Sequence, residues 1–230
     1  MPDMLWVFAM SVALLGYTYA GYPALIWLLS RVRERPVRKG PFDGGASILI
    51  SAHDEASALP RKLENLLELA KTEPIREIWI GLDGCTDRTG ERIKEKIPIS
   101  NIQCPIFDVQ GGAGERSEVG DQGAEYQPAT CNLQPAPQIH LIEFDRCRGK
   151  AAVLNDLMAK AGQPIFLMMD ARQRVEAGAI SKLLENFADP QVGAVSGALV
   201  YESADGGAQK GAESYWGYEK FIRRCESRFW

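Results

Sequence analysis

Histidine is nearly absent from this chain. His53 and His140 are the only two in 230 residues, too few for a histidine-based metal centre. The five cysteines, Cys85, Cys104, Cys131, Cys147 and Cys225, are odd in number and contain no C-x-x-C pair. That argues against both a disulfide framework and a zinc site, and they read as free thiols in a reducing compartment. No G-x-G-x-x-G follows a strand, so the dinucleotide fingerprint is missing. The one glycine-rich stretch, GGAGERSEVG, lacks the lysine and the spacing of a phosphate-binding P-loop. The net charge of −4 implies no polyanion partner.

Charge is also absent from Met4 to Ser30. The apolar part, Leu5 to Leu29, is about 25 residues long, enough to cross a bilayer core of about 30 Å as a helix. Trp6 and Trp27 stand near its ends as belt residues do, and Gly21 and Pro23 are tolerated in a membrane span. A cleaved signal peptide would carry a basic start and a shorter apolar core, whereas this N-terminus offers Asp3. Residues 1–30 are therefore expected to be a transmembrane anchor. Arg31, Arg33, Arg35, Arg38 and Lys39 follow, opposed only by Glu34. By the positive-inside rule this basic linker, 31–45, sets everything downstream on the cytoplasmic side of the inner membrane.

What remains is organised around PIFLMMDAR, Pro164 to Arg172. A short apolar run, Ile165 to Met169, enters an acid, Asp170, and reads as a buried central strand whose carboxylate sits at the sheet's C-terminal edge. That edge is where ligands bind in open α/β sheets. The alternative is that Asp170 only caps the following helix. Further strands are expected at 46–52 (ASILISA), 75–82, 139–144 and 192–201 (VGAVSGALVY). Helices are expected after Leu59, after Thr86, over 150–161 and over 177–188. The alternation predicts a layered α/β fold, mostly parallel, with helices on both faces. Residues 101–138, rich in Gly, Gln and Pro, break the pattern and read as an insertion. The α/β domain spans 46–202. A linker and an amphipathic helix, Glu213 to Phe229, occupy 203–230, and this helix either lies on the membrane surface or covers the sheet.

Three strands end in acids: Asp54 and Glu55, Asp83, and Asp170. One helix begins Arg148-Gly149-Lys150. A parallel sheet gathers all of these at one edge. Clustered carboxylates repel unless something cationic neutralises them. A divalent metal carrying a phosphorylated ligand would do so, with Lys150 and a helix N-terminus holding phosphate.

These blocks, ISAHDEA, GLDGCTDRTG, RGKAAVLN and LMMDAR followed by FADPQVGAVSG, resemble the family 2 glycosyltransferases in order and spacing from about Ala46 to Trp230. The resemblance implies a GT-A fold and transfer of a sugar from a nucleotide-sugar, a UDP-sugar being the expected donor. The implied acceptor is a polysaccharide, lipid or other glycan at the cytoplasmic membrane face. It implies that Asp83 meets the nucleotide base and that Ala52, Asp54 and Glu55 line the nucleoside pocket. Gly149 and Lys150 would stand beside the diphosphate. Asp170 would be the first acid of a D-x-D block that binds Mg²⁺ or Mn²⁺, the metal neutralising the departing diphosphate.

Two departures from the family pattern stand out. The D-x-D block reads Asp170-Ala171-Arg172, so a cation that can itself meet phosphate replaces the second acid. The family's catalytic base is expected in a block beyond Trp230, leaving the catalytic residue unassigned here and the chain reading as the front of a longer protein. A catalytically incomplete nucleotide-sugar-binding protein is the alternative. A nucleotidyltransferase is disfavoured, because its Gly- and Arg-rich loop would stand where SAHDEA does.

Overall fold

The computed structural model describes residues 2–33, 35–97, 136–200 and 208–229. The expected insertion falls almost wholly on residues outside this set. The chain divides into two compact units, Pro41–Leu184 and a second made of Met1–Gly40 with Glu185–Trp230.

The first unit holds strands β1 (Ala46–Ala52), β2 (Ile75–Asp83), β3 (Gln138–Phe144) and β4 (Ile165–Met169). They form one parallel sheet in the order β3-β2-β1-β4. Parallel neighbours need crossovers, and helices supply them: α3 (Leu59–Leu69), α4 (Thr89–Lys96) and α5 (Lys150–Met158); α6 (Ala179–Leu184) follows β4. Strand alternation sorts the core into two layers. Leu49, Trp79, Ile142 and Phe144 pack with Val153, Leu154 and Leu157 of α5. Ile48, Ile50, Ile78 and Ile80 point the other way and are fully buried, as are Leu59, Leu63 and Leu66 of α3. Each such side chain contributes about 1.5–3 kcal/mol by leaving water. This is the helix-covered parallel sheet that the sequence predicts.

Two expectations need correction. β4 is expected as a central strand, but among the described residues it pairs only with β1 and lies at the sheet's edge, where Met168 is 53% exposed. The expected strand at 192–201 is not formed over its described residues, 192–200, and Val200 is largely exposed. Gly193, Ala194, Ser196, Gly197 and Ala198 leave that run with little to bury, so its apolar signal does not amount to a ladder.

In the second unit, α1 (Pro2–Gly16) runs through a π turn, Tyr17–Gly21, into α2 (Tyr22–Val32). From Met4 to Val32 the helix is long and apolar enough to cross a membrane. Pro23 explains the irregularity. It has no N–H to give the carbonyl of Tyr19, and a side chain from outside the helix takes that place. The Tyr218 hydroxyl, on α7 (Ala208–Phe229), donates to Tyr19 O at 2.9 Å. α7 packs along α2: the Tyr22 hydroxyl donates to Glu226, and the Arg35 N–H to Arg228 O at 2.9 Å.

Candidate functional site

The site is built from the C-terminal ends of the strands. β1 delivers His53, Asp54 and Glu55, and β2 delivers Asp83. The β3–α5 connection carries Cys147 to Lys150, and β4 leads into Asp170, Ala171 and Arg172.

Asp83 is 3% exposed, and its carboxylate is consumed by backbone. One oxygen accepts the Arg148 N–H at 2.7 Å and the other the Gly149 N–H at 2.8 Å, with the Cys147 thiol at 3.4 Å. Two glycines make this closure possible. Gly84 has φ +58° and sits against the next strand's loop, where an added Cβ would come within 2.3 Å of Cys147 N. Gly149, at φ +88°, turns the chain into α5. Asp83 therefore holds the turn that presents Lys150.

Asp54 acts in the same manner on the neighbouring loop. It adopts a left-handed φ of 53°, which Asp tolerates. Its oxygens accept the Thr86 N–H at 2.8 Å, the Thr86 hydroxyl at 3.0 Å and the Asp87 N–H at 3.2 Å. The Thr86 N–H is the main reason its pKa lies below the ordinary carboxylate value. His53 Nδ1 meets Asp83 O at 2.6 Å, and this bond chiefly raises the imidazole pKa. Ala52 is buried, and its carbonyl accepts the Cys85 S–H at 3.6 Å.

The remaining expected residues meet as two ion pairs. Lys150 pairs with Asp170, both about half exposed. Arg172, 77% exposed, donates through Nε to Glu55 Oε1 at 2.7 Å, and that carboxylate is only 16% exposed. Glu55, Lys150, Asp170 and Arg172, from three different connections, thus meet at one sheet edge.

Asp54, Cys85 and Asp87 bring ligand atoms within 4.8 Å of one another. Their chemistry does not suit a metal. The Asp54 oxygens are already acceptors, and Asp87 accepts from Thr89 and, at 3.2 Å, from Ala56 N–H. Burial pushes the Cys85 thiol pKa up, away from the thiolate a metal needs. Asp170 fits a cation differently. As a single protein carboxylate it suits an ion that brings its other ligands, phosphate oxygens and water, as Mg²⁺ does.

Sequence reading missed a set of polar residues beneath this edge. Lys62, 3% exposed on the apolar face of α3, donates from Nζ to Gln173 O at 2.8 Å. Burial pushes its ammonium pKa down to about 8, against the attraction of Asp170. Asn65 exchanges two hydrogen bonds with the Val175 backbone, at 3.0 and 2.9 Å. Glu73, almost fully buried, accepts the N–H groups of Gly178 and Ser181 and the Ser181 hydroxyl. The available signal was a lysine between Leu59 and Leu66 on a leucine stripe, where charge is costly.

Residues 124–228 match the family model described as Glycosyl transferase family 2. That match covers a little under half of the chain and marks a resemblance to the family. Its fold is similar to that of the mannosyltransferase PcManGT from Pyrobaculum calidifontis, solved in complex with GDP-Man and Mn²⁺. The TM-score is 0.55 at 20% identity, over 80% of this chain and 45% of that one. The sheet is thus GT-A-like, and the chain spans under half the length of that structure. S. aureus TarS 1-349 aligns more weakly, at TM-score 0.39 and 13% identity over 63% of this chain and 31% of that one. No curated protein matches the chain.

Proposed function

We propose that the chain binds a nucleotide-sugar and serves its transfer to a glycan or lipid acceptor at the cytoplasmic face of a membrane. The observation that carries this is the meeting of Lys150–Asp170 and Arg172–Glu55 at the sheet's C-terminal edge. Both cations are exposed, so an arriving diphosphate can exchange for the half-exposed Asp170 at little cost in desolvation, and can join the exposed Arg172 while it keeps the more buried Glu55 paired. Lys150 begins α5, so the helix N-terminus adds its own attraction for phosphate. Asp170 then holds the Mg²⁺ or Mn²⁺ that travels with the diphosphate, and the ion would neutralise the leaving group. A UDP-sugar is the first donor to test and a GDP-sugar the second, since the similar mannosyltransferase was solved with GDP-Man. The apolar Met4–Val32 helix would anchor the protein, with Arg31 to Lys39 on the cytoplasmic side.

One observation favours a second reading, donor binding without turnover. The four acids assigned to the site are already engaged: Asp54 and Asp83 by backbone, Glu55 and Asp170 by cations. None is placed as a free base for the acceptor hydroxyl, a role worth about 10²–10⁴ in rate. Calorimetry with UDP- and GDP-sugars, with and without Mn²⁺, tests the donor site. A radiolabelled-sugar assay separates the two readings. Lys150→Met should weaken diphosphate binding, and equal affinity in the variant would remove Lys150 from the site.

A further inference from the structure

We propose that Lys62, working with Asn65 on α3, is a positioning residue of the donor site: it holds the turn that carries Asp170 and Arg172 at the height where they meet Lys150 and Glu55. This rests on the reading of that edge as a nucleotide-sugar site.

The turn after β4 has little packing of its own. Ala171 is its buried anchor, and the Gln173 N–H reaches back to Asp170 O at only 3.4 Å. Asp170 and Arg172, on either side of Ala171, are exposed. What fixes the segment comes from beneath it. Lys62 Nζ binds Gln173 O, one residue past Arg172, and Asn65 clamps the Val175 N–H and C=O together. A buried lysine is a costly way to meet one carbonyl, because a neutral donor would serve without desolvating a charge. The charge has a second use here. Lys62 is attracted to Asp170, so the acid is drawn by a buried cation below and by Lys150 at the surface. A diphosphate that takes Lys150 away leaves Lys62 in place, and the carboxylate keeps a cationic neighbour while it engages the ion. α3 itself is held by Leu59 and Leu66, fully buried on the same face.

A residue of merely structural value would lower stability and leave binding alone. Lys62→Met keeps the unbranched stem, one atom shorter, and removes the charge and the hydrogen bond. The full chain in detergent micelles should keep its melting temperature within a few degrees, because an apolar replacement of a buried charge is often neutral. Its dissociation constant for UDP with Mn²⁺ should rise about tenfold, as expected for loss of one charge-assisted hydrogen bond. In a transfer assay, KM for the donor should rise while kcat holds. Lys62→Gln, which keeps a neutral donor, should fall between. Leu63→Ala, on the same helix, should lower stability with affinity unchanged. The inference is overturned if both Lys62 variants bind UDP within twofold of the parent, or if their affinity loss only follows a loss of stability matched by Leu63→Ala. If the parent chain binds neither UDP nor GDP with Mn²⁺, the donor-site reading itself has failed and takes this one with it.

Discussion

Replacing Asp83 by alanine separates a ligand-binding acid from a structural one. If Asp83 only met a nucleotide base, its loss would weaken binding and spare the fold. The structure predicts otherwise. The carboxylate is 3% exposed and accepts two backbone N–H groups, at 2.7 and 2.8 Å, from the turn before α5. Each bond to a charged acceptor is worth about 1.5–3 kcal/mol net, and alanine leaves both donors without a partner. Allowing for relaxation and water entry, the expected loss is roughly 3–5 kcal/mol. At about 2–4 °C per kcal/mol for a domain of this size, the melting temperature should fall by about 10 °C. Asp83→Asn should cost less, since its carbonyl can still accept one N–H while its amide opposes the other. Lys150 starts the helix this turn leads into, so UDP binding should weaken in both variants as the turn loosens. Thermal unfolding followed by circular dichroism, paired with calorimetry, reads both effects. A melting temperature within about 2 °C of the parent in Asp83→Ala, with binding lost, would refute the structural role and return the residue to the base pocket.

Other expectations follow from the same geometry. Lys62 has its ammonium pKa held at about 8 in the folded chain against 10.5 ordinarily, so below pH 8 the buried charge costs the fold its full amount. That cost fades as pH rises from 8 toward 10.5, because the unfolded chain keeps a proton the folded one has released; the gap is worth about 3 kcal/mol. Paired urea titrations of parent and Lys62→Met should therefore move in the parent's favour between pH 7 and 10, and a pH-independent difference would contradict the burial. Arg172→Asp restores a second carboxylate beside Asp170 and should let Mn²⁺ bind without nucleotide, whereas the parent should retain Mn²⁺ only with a nucleoside diphosphate; electron paramagnetic resonance reads free Mn²⁺ directly. Gly84→Ala forces a Cβ against Cys147 N and a left-handed φ on alanine, and should cost at least about 2 kcal/mol in a denaturant melt.

The sheet was legible because its signals are local. β1, β2 and β3 each combine an apolar run with a turn, and their bounds agree with the sequence within a residue. The position of β4 within the sheet was not legible: Ile165 to Met169 is apolar enough for a central strand, and it is an edge because β1 is its one neighbour among the described residues. The stretch 192–201 misled for the opposite reason. Its valines suggested a strand, but strand formation depends on a partner, which a sequence run does not reveal.

The site was legible as a set of residues and illegible as a set of roles. Strand-end acids can be counted from the sequence, but what each carboxylate faces depends on loops far away in the chain. Asp83 meets Arg148 and Gly149, Glu55 meets Arg172, and Lys150 meets Asp170. In two of these pairings an acid closes on an exposed cation, and in the Asp83 one a buried acid closes on two backbone amides. The difference decides function. A diphosphate can enter the first kind, since Lys150 can trade Asp170 for it and Arg172 can take it beside Glu55. It cannot displace Asp83 without exposing the turn it holds. The exposed cations, Lys150 and Arg172, therefore mark where the donor's charge would go. The sequence showed Arg172 two residues from Asp170; the fold pairs Arg172 with Glu55 and Lys150 with Asp170 across connections, so under the proposed function Asp-Ala-Arg would meet a diphosphate with two cations and one carboxylate.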